Sequence, residues 1–409
     1  MFVICFSNIP RQRSSISISL PPPTEDKPRS TCQLSCSWTM VLTRRFIAGR
    51  QSAYFAQSAD KVVGAVSDPV RFSTLLGEAH WKSVLDRLFR EQEGQWLTPV
   101  ELFRPYYSQC IANHFVGTLG GSTGDIEVIE LGGGRGTNAR HMLDYWKDHH
   151  PTLYERIQYT LVDSSPALLT LQKKSLASTF HSDRCSFRQL DLLHVAEEEA
   201  SLVEPSEQTT LLLGLEVLDN LPHDKIVVKP GQDLQQTSVV DGEEVYEPLD
   251  DPLLRLIVDR VPRSFLRQTR WVPSVFCGVL DNLLVNRPAS RVLVADFDWL
   301  PPPDVPRPRA ALGEPLVTDM DAVDHADYIQ APNLCDILFP TDFPFLAAFL
   351  GSATVTKQSA FLSPFAHTTK SWFAGYNPMM DDFENCSVLS YSQNLSDGAN
   401  NMAPESSLD

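Results

Sequence analysis

Three alternate glycines and a preceding carboxylate are the first residues whose types and spacing suit ligand chemistry. The stretch 126–137 reads Ile-Glu-Val-Ile-Glu-Leu-Gly-Gly-Gly-Arg-Gly-Thr, an apolar run ending at Glu130 and followed by Gly132, Gly134 and Gly136. Glycine is needed where a strand turns sharply into a helix close to a ligand, because a Cβ would collide or forbid the positive φ of the turn. The stretch therefore predicts a turn that binds a nucleotide cofactor.

Glu130 favours one class of cofactor over another. In dinucleotide-binding folds the glycine turn receives a pyrophosphate, which a carboxylate at the strand tip would repel. S-adenosyl-L-methionine (SAM) presents a free ammonium that a carboxylate attracts, so we expect Glu130, Gly132, Gly134 and Gly136 to bind SAM. The alternatives are a tight turn without a ligand and an NAD-dependent oxidoreductase, which Glu130 and the lack of a recognisable hydride site disfavour.

Two further apolar runs end at acidic residues that suit other parts of the same cofactor. The run 157–162 ends at Asp163, where a carboxylate can accept both hydroxyls of a ribose. The run 185–190 ends at Asp191, where a carboxylate can take the exocyclic amine of adenine. We predict both as cofactor-binding residues. A helix N-cap at Asp163 and a solvated loop carboxylate at Asp191 are the alternatives.

A second pair of carboxylates follows a nearly all-apolar run. Residues 209–215, Thr-Thr-Leu-Leu-Leu-Gly-Leu, suit a central parallel strand covered on both faces, and they run directly into Glu216 and Asp219. Ligands of open α/β sheets bind at the carboxyl ends of the strands. Glu216 and Asp219 are therefore expected to face one crevice. The alternative is that Glu216 only caps the following turn or pairs with Lys225.

Four elements resemble, in order, those of the MidA-like SAM-dependent methyltransferases. Residues 130–137 are similar to E-L-G-P-G-R-G-T, with Gly133 where proline is usual. Residues 216–222 resemble E-F-F-D-x-L-P, residues 291–297 resemble L-x-x-A-D-Y-G, and residues 335–343 resemble D-L-T-x-D-V-D-F. The best known member of this family is a mitochondrial protein arginine methyltransferase that assists assembly of respiratory complex I.

The resemblance implies a Rossmann-like class I methyltransferase fold, α/β with a mostly parallel seven-stranded sheet, and SAM as cofactor. It also implies an arginine side chain of a protein as substrate, with a complex I subunit as a candidate partner. An arginine guanidinium is a poor nucleophile, because it is protonated and delocalised. We expect Glu216 and Asp219 to be catalytic, fixing its plane by paired hydrogen bonds and stabilising positive charge, with Asp219 also able to take a proton late.

One departure from the family leaves a second function open. Residues 299–308 carry three consecutive prolines where the family has a tight loop with an arginine-histidine pair. Prolines favour an extended segment and remove backbone donors, so a substrate contact there is in doubt. A SAM-binding assembly factor with little or no catalysis is therefore the alternative function.

Periodicity and composition divide the chain. Helical spacing over 72–88 and 106–119 predicts a helical layer ahead of the first strand, Asp-Gly at 241–242 predicts a β-hairpin, and 353–362 are expected to supply antiparallel edge strands. The predicted regions are a transit peptide or disordered segment at 1–60, a helical entry region at 61–124, a methyltransferase domain at 125–377 with an α/β insertion at about 228–290, and a disordered acidic tail at 378–409.

The N-terminal segment has the composition of an organellar address. Residues 1–59 contain arginines and many serines but only Glu25 and Asp26 as acids, and residues 40–57 have an amphipathic pattern. We expect a mitochondrial matrix protein that starts at Met1 or Met40. A merely disordered tail is the alternative.

Overall composition excludes several other classes. A formal charge of -17 argues against a nucleic-acid partner, because most of the surface would repel a polyanion. Eight cysteines show no repeated spacing and no nearby histidines, so we expect neither a metal site nor a disulfide framework. No apolar run reaches the roughly 20 residues that cross a bilayer.

Overall fold

The computed structural model describes residues 71–91, 98–119, 124–305, 311–319, 323–332, 335–370 and 375–392. The predicted transit segment and residues 393–409 lie outside these ranges. None of the described helices is long and apolar enough to cross a membrane.

The described strands and helices follow the predicted alternation through the first half of the chain. The strands are β1 (Ile126–Leu131), β2 (Ile157–Asp163), β3 (Cys185–Gln189), β4 (Thr209–Leu215), β5 (Asp224–Val227), β6 (Gln235–Val240), β7 (Glu243–Pro248), β8 (Arg270–Val272), β9 (Ser290–Phe297), β10 (Leu316–Asp319), β11 (Asp324–His325), β12 (Cys335–Leu338), β13 (Thr354–Lys357) and β14 (Cys386–Ser392). The α-helices are α1 (Glu78–Glu91), α2 (Pro99–Leu102), α3 (Tyr106–Thr118), α4 (Thr137–His149), α5 (Pro151–Tyr154), α6 (Pro166–Ala177), α7 (Leu192–Ala196), α8 (Pro252–Arg260), α9 (Ser274–Asn286), α10 (Phe343–Leu350), α11 (Gln358–Leu362) and α12 (Pro378–Asp381).

A seven-stranded sheet in the order β13-β14-β9-β4-β1-β2-β3 forms the centre. Strands β9, β4, β1, β2 and β3 are parallel, while β14 is antiparallel to both β9 and β13. The predicted α/β class and mostly parallel seven-stranded sheet are confirmed. Because β1 and β4 are neighbours, the glycine turn and the carboxylates after β4 lie at the same edge.

The edge strands correct two predictions. Only residues 354–357 of the segment 353–362 are extended, and α11 begins directly after them. The predicted disordered tail is wrong up to Ser392, because β14 inserts between β13 and β9 in the central sheet. The buried Cys386, Val388 and Leu389 give this strand the apolar side chains that a central position requires.

Helices cover both faces of the central sheet. The entry helices α1 to α3 pack with α4 on one face, where the Trp146 indole donates to the Ala112 carbonyl at 3.0 Å. Helices α7 to α10 cover the other face. Several helices begin at a polar cap followed by proline: the Ser165 hydroxyl accepts from the Leu168 amide, and the Asp251 carboxylate accepts from the Leu254 amide.

Two small sheets lie beside the central one. The first has the order β7-β6-β5-β8 and contains the predicted hairpin, whose strands β6 and β7 flank residues 241–242. The second, β11-β10-β12, follows β9 and was not predicted. It contacts the first through the rings of Trp271 and Phe339, 5.2 Å apart. The Phe339 amide donates to the Asp219 carbonyl at 2.8 Å, which joins the second sheet to the loop after β4.

Candidate active site

The turn after β1 has the left-handed backbone that its glycines predict. Gly132, Gly134 and Gly136 have φ values of 62°, 52° and 78°. A Cβ at Gly132 would lie 2.9 Å from a methyl of Val217, whereas one at Gly134 would meet no atom within 4 Å. The backbone at Gly134 therefore borders open space, as a turn that cradles a ligand must.

A cavity opens beside this turn and includes several predicted site residues. Its lining consists of Thr98, Val100, Glu101, Glu130, Gly132, Gly133, Gly134, Arg135, Thr137, Asn138, Leu168, Leu215 and Glu216. The structure thus brings Glu130, Gly132, Gly134 and Glu216 together. The other predicted residues, Gly136, Asp163, Asp191 and Asp219, are not part of that lining. A second cavity, near the start of β2 and lined by Lys147 and Phe180 among others, contains no predicted site residue.

Glu130 is a buried carboxylate whose hydrogen bonds stabilise the glycine turn. One of its carboxylate oxygens accepts a hydrogen bond from the side-chain amide of Asn138 at 2.9 Å, and the other accepts one from the Tyr159 hydroxyl at 2.8 Å. Only 2% of the residue is exposed. Burial raises the pKa of Glu130 to about 7, although these two hydrogen bonds act in the opposite direction. Contact between Glu130 and the cofactor stays a prediction.

Asp163 and Asp191 occupy the strand ends predicted for them. Asp163 accepts from the Ser165 amide at 2.9 Å and from the Gln172 side chain at 3.2 Å, and burial raises its pKa to about 6. Ser165, not Asp163, is the N-cap of α6. Asp191 is exposed and caps α7 through the Leu193 amide. Their cofactor contacts remain predictions, which these partners permit because each carboxylate keeps free lone pairs.

Glu216 is held in an unusual conformation at the floor of the cavity. It follows β4 directly and has a φ of 53°, although it is not glycine. Its backbone amide donates to the Ala295 carbonyl at 2.8 Å, which fixes this geometry. Backbone strain of this kind is concentrated at functional sites. Burial, and then the charge of Asp296, raise the pKa of Glu216 well above its ordinary value.

The alternative pairing of Glu216 with Lys225 is wrong. The Lys225 ammonium instead contacts both carboxylate oxygens of Glu244, at 2.8 and 2.9 Å. That ion pair belongs to the first small sheet, where it joins β5 to β7.

Asp219 lies at the centre of a buried carboxylate group. It is fully buried. One oxygen accepts a hydrogen bond from the side-chain amide of Asn220 at 2.7 Å, and the other has no hydrogen-bond partner among the described residues. Asp296, at the end of β9, accepts from the amides of Leu218 and Asp219 at 2.8 and 3.1 Å. It therefore holds the loop after β4 in place.

Asp336, on β12, completes this group. It is 3% exposed, and within the described part of the chain its carboxylate has only the backbone amide of the adjacent Ile337 as a hydrogen-bond partner. Burial raises the pKa of both Asp296 and Asp336 to about 7. Burial, followed by Asp296, Asp336 and Glu216, raises the pKa of Asp219 well above its ordinary value. We call Glu216, Asp219, Asp296 and Asp336 the acidic group.

Sequence reasoning missed the contribution of the entry region to the cavity. Thr98, Val100 and Glu101 line it from the start of α2. The Thr137 hydroxyl donates to Glu101 at 2.6 Å, which connects this segment to α4. Thr98 before a proline signals the helix start, since its hydroxyl accepts from the Glu101 amide at 3.4 Å. Nothing in the local sequence signals that this start packs against the glycine turn.

The residues that line the cavity have the chemistry that the SAM expected from the sequence requires. Open space borders the backbone of Gly134, the side chains of Leu168 and Leu215 offer apolar contact, and Glu101 and Glu216 bring carboxylates to the same space. A cofactor with an apolar adenosine portion and a cationic methionine portion suits this combination.

Comparison with known proteins agrees with this geometry. Residues 110–360 match the model of a family described as "Putative S-adenosyl-L-methionine-dependent methyltransferase". No curated protein matches the chain. A crystal structure of an uncharacterized COG1565 superfamily protein from Burkholderia thailandensis is 17% identical, with a TM-score of 0.50 over 85% of this chain and 93% of that chain.

A second COG1565 superfamily member from Burkholderia thailandensis was crystallised bound to S-adenosyl-homocysteine. It is 16% identical to this chain, with a TM-score of 0.50 over 88% of this chain and 95% of that chain. These likenesses establish a common fold, and the family match covers more than half of the 409 residues. The chain belongs to the family of S-adenosyl-L-methionine-dependent methyltransferases, and SAM is its cofactor.

Proposed function

We propose that this methyltransferase transfers its methyl group to arginine side chains of proteins in the mitochondrial matrix, in connection with assembly of respiratory complex I. The observation that supports arginine is the acidic group, in which, among the described residues, one oxygen of Asp219 has no partner and Asp336 has only a backbone amide. The compartment and the assembly role rest on the N-terminal composition and on the family resemblance.

Buried carboxylates without partners are costly unless a cation or a proton joins them. Among the described residues, Lys357 contacts Asp298 and Arg270 contacts Asp342, so neither of these cations is paired with the acidic group. The acidic group therefore has unused capacity for positive charge that a substrate can supply.

The shape of the acidic group favours a guanidinium over an ammonium. A guanidinium is planar and presents five N–H donors in a fixed fork, whereas an ammonium is a compact point charge. Carboxylates at the end of β9, on β12 and after the end of β4 can bind different edges of one guanidinium plane. The chain's net charge of -17 also attracts basic protein segments.

SAM supplies an electrophilic methyl carbon bonded to a sulfonium. As the arginine nitrogen forms its bond to that carbon, the carbon–sulfur bond breaks, its electron pair stays on sulfur, and the nitrogen must lose a proton. Glu216 and Asp219 hold the guanidinium plane, and exclusion of water keeps the reacting atoms in line. Because the pKa of Asp219 is raised, its carboxylate is a better proton acceptor than an ordinary aspartate.

The direct test is transfer from methyl-labelled SAM to basic mitochondrial proteins, with the modified residue located by mass spectrometry. We expect methylated arginines with the full chain, and none with Glu216→Gln, which should still bind S-adenosylhomocysteine. Label on lysine would overturn the choice of arginine. Cofactor binding without transfer to any protein would instead support the assembly-factor function.

The proposed compartment is tested separately. A fluorescent protein fused to residues 1–60 is expected to enter the mitochondrial matrix. A matched fusion in which Arg44, Arg45 and Arg50 are replaced by glutamine should remain outside, because transit sequences need their basic face.

A further inference from the structure

The cofactor of this family carries a free ammonium, and two glutamates of the cavity besides Glu216 could receive it. Each oxygen of Glu130 already accepts one hydrogen bond, from Asn138 and from Tyr159, and only 2% of the residue is exposed. An added Cβ at Gly133 would lie 3.5 Å from a Glu130 oxygen, so this carboxylate lies against the inner side of the turn. Glu130 is therefore poorly placed to reach a ligand.

Glu101 lines the same cavity from helix α2. One oxygen accepts from the Thr137 hydroxyl at 2.6 Å, and the other lies 3.5 Å from the Arg104 guanidinium, longer than a good hydrogen bond. A carboxylate has about four acceptor sites, so Glu101 retains capacity for a further donor. Its side chain is 9% exposed, and that surface borders the cavity.

The position of Glu101 is fixed before any ligand arrives. Helix α2 starts at the Thr98 cap and is anchored by Leu102 and Phe103, both buried in the core. Thr137, the first residue of α4, orients the Glu101 carboxylate toward the glycine turn. Such preorganisation reduces the entropy that binding must overcome.

We propose that Glu101 supplies the carboxylate that binds the methionine ammonium of SAM, while Glu130 supports the glycine turn. The entry region then forms one wall of the cofactor site. This assignment concerns the cofactor alone and is independent of the arginine proposal.

Calorimetric titration of the full chain with two ligands tests the assignment. S-adenosylhomocysteine carries the ammonium, whereas 5′-methylthioadenosine lacks the whole amino acid portion. Glu101→Gln should weaken S-adenosylhomocysteine about 10- to 100-fold, as expected for loss of a hydrogen bond to a charged group. Binding of 5′-methylthioadenosine should change less than about twofold.

Glu130→Gln is the matched comparison. Because Glu130 supports the turn itself, its replacement should lower the affinity for both ligands by a similar factor. Glu101→Asp, which keeps the charge but withdraws it, should give a selective loss smaller than that of Glu101→Gln.

The proposal is overturned if Glu101→Gln leaves the affinity for S-adenosylhomocysteine unchanged, or weakens both ligands equally. It is also overturned if Glu130→Gln produces the selective loss. Since no methyl acceptor is present, these outcomes do not depend on the identity of the substrate.

Discussion

The carboxylates of the cofactor side and those of the proposed substrate side differ in how completely their oxygens are paired. On the cofactor side, Glu130 accepts hydrogen bonds on both oxygens, and so does Asp163. On the substrate side, one oxygen of Asp219 has no partner among the described residues, and Asp336 has only the backbone amide of the adjacent Ile337. The first pair of carboxylates is hydrogen-bonded without a ligand, whereas we expect the second group to need a cation or a proton.

The largest expected effect comes from breaking the cradle. Gly134→Val should reduce the affinity for S-adenosylhomocysteine more than about 100-fold, because a β-branched residue disfavours the φ of 52° and its side chain enters the ligand space. Calorimetry measures the loss. Binding within threefold of the unmodified chain would show that this turn is not the cofactor cradle.

The second largest effect is expected from removing one charge from the substrate side. Glu216→Gln should lower the rate of methyl transfer roughly 100- to 1,000-fold, the range for loss of one electrostatic contact to a transition state. Binding of S-adenosylhomocysteine should stay within about threefold. Radiometric assays and calorimetry on the same preparation separate the two effects, and a parallel fall in both would assign Glu216 to the cofactor side.

The acidic group should also make stability depend on pH. Its Asp296 and Asp336 have pKa values raised to about 7 in the folded chain, against about 4 when unfolded. Between these values the folded state binds more protons, so stability is greatest below about pH 4 for these groups and is lost as pH rises toward 7.

Asp336→Asn removes one of these charges. It should raise the free energy of unfolding at pH 8 by roughly 1 to 4 kcal/mol, with little gain at pH 4, measured by urea denaturation. Asp144→Asn is the control of opposite sign, because a hydrogen bond from His181 lowers the pKa of Asp144 and its charge is stabilising. Equal stability of Asp336→Asn and the unmodified chain at pH 8 would contradict the account.

The smallest effect is expected from an ion pair that belongs to neither the cofactor side nor the acidic group. Lys225→Gln breaks the ion pair with Glu244. The Lys225 side chain is 14% exposed and the Glu244 side chain 17%. We expect a stability change of about 1 kcal/mol or less and no change in methyl transfer. A large loss of transfer would show that Lys225 contributes to catalysis.

The sequence predicted what depends on local pattern. The apolar runs ending at Glu130, Asp163 and Leu215 became parallel strands, because their composition suits a sheet covered on both faces. The glycine spacing likewise predicted the left-handed turn, since few other residues adopt that φ.

Long-range pairing was beyond the sequence. Strand β14 was assigned to a flexible tail, because its Ser-rich surroundings hide a short apolar run that only pairing with β13 and β9 stabilises. Asp336 lay in a recognised motif, but its approach to Asp219 depends on β12 pairing with β10. Glu101 was missed for the same reason, since its role depends on packing between α2 and α4.

The proposed substrate depends on whether the acidic group binds a guanidinium. The most direct measurement is calorimetric titration of the full chain, saturated with S-adenosylhomocysteine, with ethylguanidinium and with its neutral analogue ethylurea near pH 7. We expect binding of ethylguanidinium alone, with proton release seen as a dependence of the heat on buffer, because the cation lowers the raised carboxyl pKa values of Asp296 and Asp336. Equal binding of the two compounds, or no binding of either, would contradict it.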